Sequence, residues 1–236
     1  VWHADDPSPV QLIAGGSGLL GTAIRKVLPG RVVTLDREKP TGRATFIQCD
    51  VTHHVDVQAA CREVGYVSTL IYAVGRHDKR FWTDPFDFHN WHQTMGVYLD
   101  GAFYLLRELL PGMVNHRFGR IVLLGSVYGG VAPDFNLYPK GRIPPPSYCA
   151  AKAGLVALAR WVAVRCGARG VTCNVVSPAG VVGSVLDARL RRRLERRMPN
   201  GQLVSPADVA RAVRFCLETP ALNGHDLVID AGWKAR

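Results

Sequence analysis

No apolar run in the 236 residues comes near the roughly 20 needed to cross a bilayer, so no helical membrane span and no membrane partner is expected. Val1 to Pro9 lack a basic start followed by an apolar stretch; no secretory signal is visible, and the expected compartment is the cytoplasm. Cysteines are few (Cys49, Cys61, Cys149, Cys166, Cys173 and Cys216) and never form a Cys-x-x-Cys pair, which leaves them as reduced packing residues. The histidines include the neighbours His53 and His54, but adjacent residues on a helix point apart. Nothing supplies a third and fourth ligand at metal spacing, and no metal is expected. No Ser/Gly linker or low-complexity block divides the chain, which predicts one domain over residues 1–236.

Acid is the scarcer charge: 19 Asp and Glu stand against 29 Lys and Arg, a net +10. The excess is local. Arg189, Arg191, Arg192, Arg193, Arg196 and Arg197 crowd one segment whose sole acid is Glu195. Within it Leu186, Leu190, Leu194 and Met198 recur every four residues, the pattern of an amphipathic helix with an arginine-rich outer side. Two readings stay open: a solvated helix face, or attraction of an anionic substrate or an acidic carrier partner. Nucleic acid is not an expected partner, because no recognisable module or basic-aromatic platform accompanies the arginines.

Apolar runs at Val10–Ala14, Arg31–Leu35, Val67–Ala73, Ile121–Leu124, Val171–Val176 and Leu227–Ile229 read as buried strands. Helical patterns fall between them, at Leu19–Leu28, Val55–Val64, roughly Pro85–Val114, Tyr148–Cys166 and Pro206–Glu218. Ser205 before Pro206 adds a cap residue followed by proline in the first turn. Alternating strand and helix predict an α/β fold: a parallel sheet with helices on both faces and ligands at the carboxyl ends of the strands. The exception is 127–147. Pro133, Pro139, Pro144, Pro145 and Pro146 forbid a helix or central strand there, so a long surface loop is expected, and loops of that length are usually functional.

Directly after the first strand comes Ala14-Gly15-Gly16-Ser17-Gly18-Leu19-Leu20-Gly21, then a helix. Glycines here permit a tight turn and close approach of backbone to a pyrophosphate, and the helix start offers free N–H groups to the anion. Asp36, 21 residues beyond Gly15 at the end of the next strand, completes a dinucleotide signal. A carboxylate accepts from both ribose hydroxyls and repels a 2′-phosphate, so NAD is favoured over NADP, with Arg37 the residue that would favour the phosphate.

Tyr148 and Lys152 lie four apart at the head of an alanine-rich helix, which brings phenol and ammonium to one face. A free tyrosine ionises near pH ~10, and an adjacent cation stabilises the phenolate, so the pair can act as general acid/base near neutrality.

With this pair and the glycine turn, the chain resembles the short-chain dehydrogenase/reductase family over nearly its whole length. The resemblance implies a Rossmann-like, doubly wound parallel sheet of about seven strands. It casts Tyr148 as acid/base toward the substrate oxygen and Lys152 as the group that lowers its pKa and holds the nicotinamide ribose. Ser126, in Gly125-Ser126-Val127-Tyr128-Gly129, matches the serine that orients the substrate carbonyl. Asp50 and Val51 match the pair at the adenine. Asn174-Val175-Val176-Ser177-Pro178-Ala179-Gly180, with Val181, corresponds to the segment near the nicotinamide, and Gly224–Gly232 resembles the final strand.

Three departures stand out. Tyr72-Ala73-Val74-Gly75 replaces the family's usual Asn-Asn-Ala-Gly, leaving Ala73, Val74 and Gly75 as cofactor contacts. Tyr98 stands where the family usually has a catalytic asparagine that bends a helix and holds a water on the lysine; its phenol is a candidate substitute in that proton relay. Ser126 and Tyr148 are 22 positions apart instead of about a dozen, owing to the proline-rich insertion. That spacing and the Gly-x-x-Gly-x-x-Gly turn are similar to the family's extended branch, but no sizeable C-terminal domain follows, so the compact branch is expected.

The resulting expectation is reversible hydride transfer between NAD and a secondary alcohol or ketone on a small-molecule metabolite. Ser126, Tyr128, Phe135 and Tyr138 are the expected substrate contacts, and 183–203 the substrate lid. Phe81, Trp82 and Trp91 are more often packing residues than recognition residues. The resemblance also implies a homodimer or homotetramer, paired through the long helices before and after the Ser126 strand. A second reading is a dinucleotide-sensing or scaffold protein that has kept the fold and lost the chemistry; retention of Ser126, Tyr148 and Lys152 together argues against it.

Overall fold

The computed structural model describes residues 9–76, 86–139, 143–184 and 187–235. Seven parallel strands form one sheet in the order β3-β2-β1-β4-β5-β6-β7. They are β1 (Val10–Ala14), β2 (Val32–Asp36), β3 (Thr45–Gln48), β4 (Val67–Tyr72), β5 (Gly119–Leu124), β6 (Val171–Pro178) and β7 (Asp226–Ile229). The chain runs outward from β1 to β3 and then returns to start β4 on the other side of β1, which makes the carboxyl ends of β1 and β4 the switch point.

Strand periodicity sorts the core into two layers. Leu12, Leu35, Leu70, Leu123 and Val175 point to one face, where they meet α2 (His54–Val64), α4 (Gly101–Asn115) and α5 (Pro146–Cys166). Ile13, Ile71, Val122 and Val176 point to the other, against α1 (Leu19–Arg25) and α7 (Pro206–Glu218). Such residues, fully buried, contribute about 1.5–3 kcal/mol each. A third, smaller cluster lies beyond the strand ends, where Leu190, Leu194 and Met198 of α6 (Ala188–Arg197) and the residue after it pack on Val127, Ala179 and Trp233. Five of the six cysteines are buried and all are free.

The structure refines several expected elements. Thr45–Gln48 has no continuous apolar run because it is the half-exposed sheet edge, with one neighbour instead of two. The helical stretch before β5 is not one rod: α3 (Phe88–Met95) passes through a π turn, Gly96–Asp100, into α4. The insertion folds into two short 3₁₀ turns, Val127–Gly129 and Phe135–Leu137. Pro146, counted with the loop prolines, begins α5, where its missing N–H costs nothing. Ser205 caps α7 in a reciprocal box with Asp208.

Asn174, at the start of the segment expected near the nicotinamide, lies inside β6. It is fully buried, donates to the Leu222 carbonyl at 2.8 Å and accepts the His225 N–H at 3.0 Å.

Candidate active site

The glycine turn sits at the switch point. Gly15 has a positive φ of 82°, and a Cβ there would come within 2.6 Å of the Ala73 carbonyl after β4. At Gly21 a Cβ would strike the Gly15 carbonyl, so no larger residue fits where helix and turn cross. Gly18 differs: its added Cβ would meet only the Gly15 carbonyl oxygen, at 3.4 Å, so the turn is open there. Leu19, on the adjoining rim, is partly exposed, and its side chain lies 3.5 Å from where a Cβ at Gly183 would stand. Leu20 packs inward on the second core layer.

Asp36 closes the neighbouring end. Its carboxylate accepts the Ser17 N–H at 3.0 Å and the Arg37 N–H at 2.8 Å, and the Ser17 hydroxyl donates to the Glu38 carbonyl at 2.6 Å. The Arg37 side chain leans toward Asp50, Nη1 to Oδ2 3.9 Å. Burial pushes the Asp50 carboxyl up, but hydrogen bonds from the Thr52 N–H (2.9 Å) and hydroxyl (2.7 Å), with Arg37, outweigh it and hold it below its usual value. Val51 is buried beside it. A turn that only glycine can make, opening beside a fixed carboxylate, fits the phosphates and ribose of a dinucleotide.

Ser126, Tyr148, Lys152 and Tyr98 converge. Ser126 follows β5, caps the first 3₁₀ turn by accepting the Tyr128 N–H at 3.3 Å, and is hydrogen-bonded to the Tyr148 phenol. Lys152 is 4% exposed; its Nζ donates to the Leu124 carbonyl at 2.5 Å and stands 4.5 Å over the Tyr98 ring centroid and 5.7 Å from that of Tyr148. The two tyrosine rings meet edge to face, 5.1 Å apart at 83°.

Burial governs the protonation of the ligand-free site. It raises the Tyr148 pKa above that of an ordinary phenol, the Ser126 hydrogen bond working the other way. Burial brings Lys152 down to about 7, so at neutral pH its own charge is only partial. The phenol oxygen of Tyr98 accepts the Arg76 N–H at 2.9 Å, under the turn that carries Ala73, Val74 and Gly75.

Beyond β6, Ala179 and Val181 are buried, and Gly180 and Val182 pair with Val204, which ties the segment after Pro178 to the chain beyond α6. The Tyr128 and Tyr138 hydroxyls are 2.7 Å apart. Burial pushes Tyr128 up to about 12, against the pull of the Tyr138 hydrogen bond, and raises Tyr138 too. Phe135 lies 55% exposed along an apolar cavity of about 650 Å³ with Val131, Pro133, Ile143 and Ala150. That cavity touches α5 through Cys149, Ala150 and Ala153, a face roughly a third of a turn from Tyr148 and Lys152. Tyr128 lines the same cavity, so Tyr128 and Phe135 share it, and Tyr138 is linked to it through the Tyr128 hydroxyl.

Phe81 and Trp82 lie outside the described residues, as does Leu186 of the lid stripe. Trp233 and Arg76 were missed by the sequence reading. Trp233 packs on Tyr128 at 6.3 Å with the Arg197 guanidinium 5.6 Å over its ring; Arg76 also holds Asn90 and Thr94, each at 2.9 Å. Arg76 follows directly on Gly75, a position signal that was available; Trp233 offered none.

A family model described as Enoyl-(Acyl carrier protein) reductase matches residues 11–234. An uncharacterized oxidoreductase of Schizosaccharomyces pombe is 31% identical over 94% of this chain and 90% of its own. Carbonyl reductase family member 4 of Xenopus laevis is 27% identical over 95% of this chain and 98% of its own. Among solved structures, an oxidoreductase of the short-chain dehydrogenase/reductase family from Burkholderia thailandensis superposes with a TM-score of 0.83 at 27% identity, covering 97% of this chain and 94% of that one.

Proposed function

The chain belongs to the short-chain dehydrogenase/reductase family and is an oxidoreductase, and from that premise we propose that it interconverts a secondary alcohol and a ketone on a small-molecule metabolite, with NAD(H) as cofactor. The observation that carries this reading is the convergence of Ser126, Tyr148 and Lys152 at the carboxyl end of β5, two strands from β1 and its glycine turn.

Gly15, Ser17, Gly18, Leu19 and Gly21 would hold the pyrophosphate, Asp36 the adenine ribose, Asp50 and Val51 the adenine, and Ala73 to Gly75 with Pro178 to Val181 the nicotinamide half. When bound, the dinucleotide supplies the hydride acceptor for the alcohol and the hydride donor for the ketone. Ser126 donates a hydrogen bond to the substrate oxygen and keeps it beside the Tyr148 phenol. In the reductive direction Tyr148 gives that oxygen its proton; in the oxidative direction it takes the proton back. Lys152, when charged, stabilises the resulting phenolate and supports the ribose.

NAD is favoured over NADP because the Asp36 carboxylate faces Ser17, and Arg37, the candidate phosphate ligand, leans to Asp50. Pairing into dimers or tetramers goes with this reading, supported by Phe103 on α4 and Trp161 and Val164 on α5, all exposed. A cytoplasmic setting goes with it as well, since the six cysteines are free.

The test is direct. Incubated with NAD and a panel of secondary alcohols, the protein should produce reduced nicotinamide, and Tyr148→Phe should not. Binding of NAD with no turnover of any alcohol or ketone would favour the sensing role instead.

A further inference from the structure

Tyr98 is the middle residue of the π turn between α3 and α4 and is 6% exposed. The extra residue in this turn displaces the helical register, and the turn is held from β4: the buried Tyr72 hydroxyl donates to the Val97 carbonyl at 2.5 Å. Gly101, next along, is compressed against that same hydroxyl and Val51, so the chain has one path through the bend. A helix bent this way delivers one side chain inward, and that side chain is Tyr98.

Each part of Tyr98 touches a different piece of the site. Its face lies 4.5 Å beneath Lys152 Nζ, its ring meets that of Tyr148 at 5.1 Å, and its hydroxyl accepts the Arg76 N–H at 2.9 Å. Among the described residues, the titratable groups facing the ammonium are Tyr98 from the π turn and Tyr148 from its own helix; β5 adds the Leu124 carbonyl. Burial is what lowers the lysine's pKa. A buried ammonium in that position relies on the electron-rich ring for the stability of its charged form.

We infer that Tyr98 is a positioning residue acting through its ring: the aromatic face holds the charged Lys152 in line with Tyr148, and the hydroxyl anchors the ring to the 73–76 turn. The phenol oxygen accepts the Arg76 N–H, which fixes the ring in this orientation. This inference rests on the proposed reaction for its kinetic consequence and on geometry alone for its effect on Lys152.

The experiment has two readouts. In ligand-free protein carrying lysine labelled with carbon-13 at Cε, the Lys152 signal, assigned through Lys152→Met, is titrated in wild type, Tyr98→Phe, Tyr98→Leu and Tyr98→Met. Loss of the ring should move the midpoint down by about one pH unit in the Leu and Met variants, and Phe should restore it. In turnover, Leu and Met should lower kcat about tenfold or more with KM little changed, and Phe should recover most of the loss. A Phe variant as impaired as Leu would assign the role to the hydroxyl and overturn the inference, as would an unchanged midpoint in Leu or Met. Should neither non-aromatic variant fold, Phe alone decides. Absence of any turnover in wild type would count against the proposed reaction, and the titration would still judge the ring.

Discussion

The Arg193 guanidinium donates to the Leu137 carbonyl at 3.1 Å and to that of Asn136 at 3.3 Å, which fastens α6 to the proline-rich loop. The arginine-rich segment is thus divided. Arg193 and Arg197 turn inward as fasteners, whereas Arg189, Arg191, Arg192 and Arg196 face solvent, Arg191 paired with Glu195 at 2.8 Å. If 183–203 serves as the substrate lid, Arg193→Ala should loosen it and raise KM roughly tenfold, while Arg192→Ala should stay within about twofold. If the outward arginines recruit an anionic substrate, KM for anionic substrates alone should climb steeply with salt, which steady-state kinetics at graded ionic strength would read.

Tyr148→Phe keeps the ring against Tyr98 and removes the exchangeable proton. Turnover should fall by at least about 10²-fold, with NAD affinity nearly intact by calorimetry. Comparable activity in the variant would remove Tyr148 from the mechanism.

The Asp36 carboxylate predicts cofactor choice. NAD and NADH should raise the melting temperature well above what NADP and NADPH achieve, a ligand at a hundredfold over its Kd adding about 2.7 kcal/mol. Asp36→Ala should erase most of the difference, and a wild-type preference for NADP would contradict the assignment.

Lys152 makes stability depend on pH in a defined sense. Its folded pKa, about 7, lies below the ordinary lysine value of 10.5, so between these the unfolded chain binds more protons than the native one. The ligand-free protein should therefore gain stability as pH rises through this window, by at most about 1.4 kcal/mol per pH unit from this group, and lose it as pH falls through 7. Lys152→Met should melt higher than wild type at pH 7 or below, the gap closing toward pH 10.5. An equal gap at every pH would rule out the titration.

Asn174→Ala would leave the Leu222 carbonyl and His225 N–H without their partner at the β6–β7 junction. The expected loss is about 2–4 kcal/mol, seen as a shifted denaturation midpoint, with KM for NAD unchanged in the surviving folded protein.

Much of this was readable before folding. Buried strands announce themselves by short runs rich in Val, Ile and Leu, so β1, β4, β5 and β6 stand out, and Ser205-Pro206 marks the start of α7 by local chemistry alone. Thr45–Gln48 escapes because an edge strand packs on one side and needs no continuous apolar run. The π turn escapes as well, since one extra residue in a helix leaves no mark on composition or period. Phe135 and Tyr138 look alike as aromatics of one loop, yet the loop turns one toward an open cavity and the other onto Tyr128.

The amino-acid sequence by itself determined the alternating layers, the glycine turn with its carboxylate, and the presence of Ser126, Tyr148 and Lys152, because each depends on residue type and local spacing. Only the tertiary structure decided what those groups do to one another. Burial sets Lys152 near 7 and lifts Tyr148, the Tyr98 ring lies under the ammonium, and two of six arginines turn inward. Desolvation and ring orientation arise from contacts between segments distant in the chain, which no local pattern encodes.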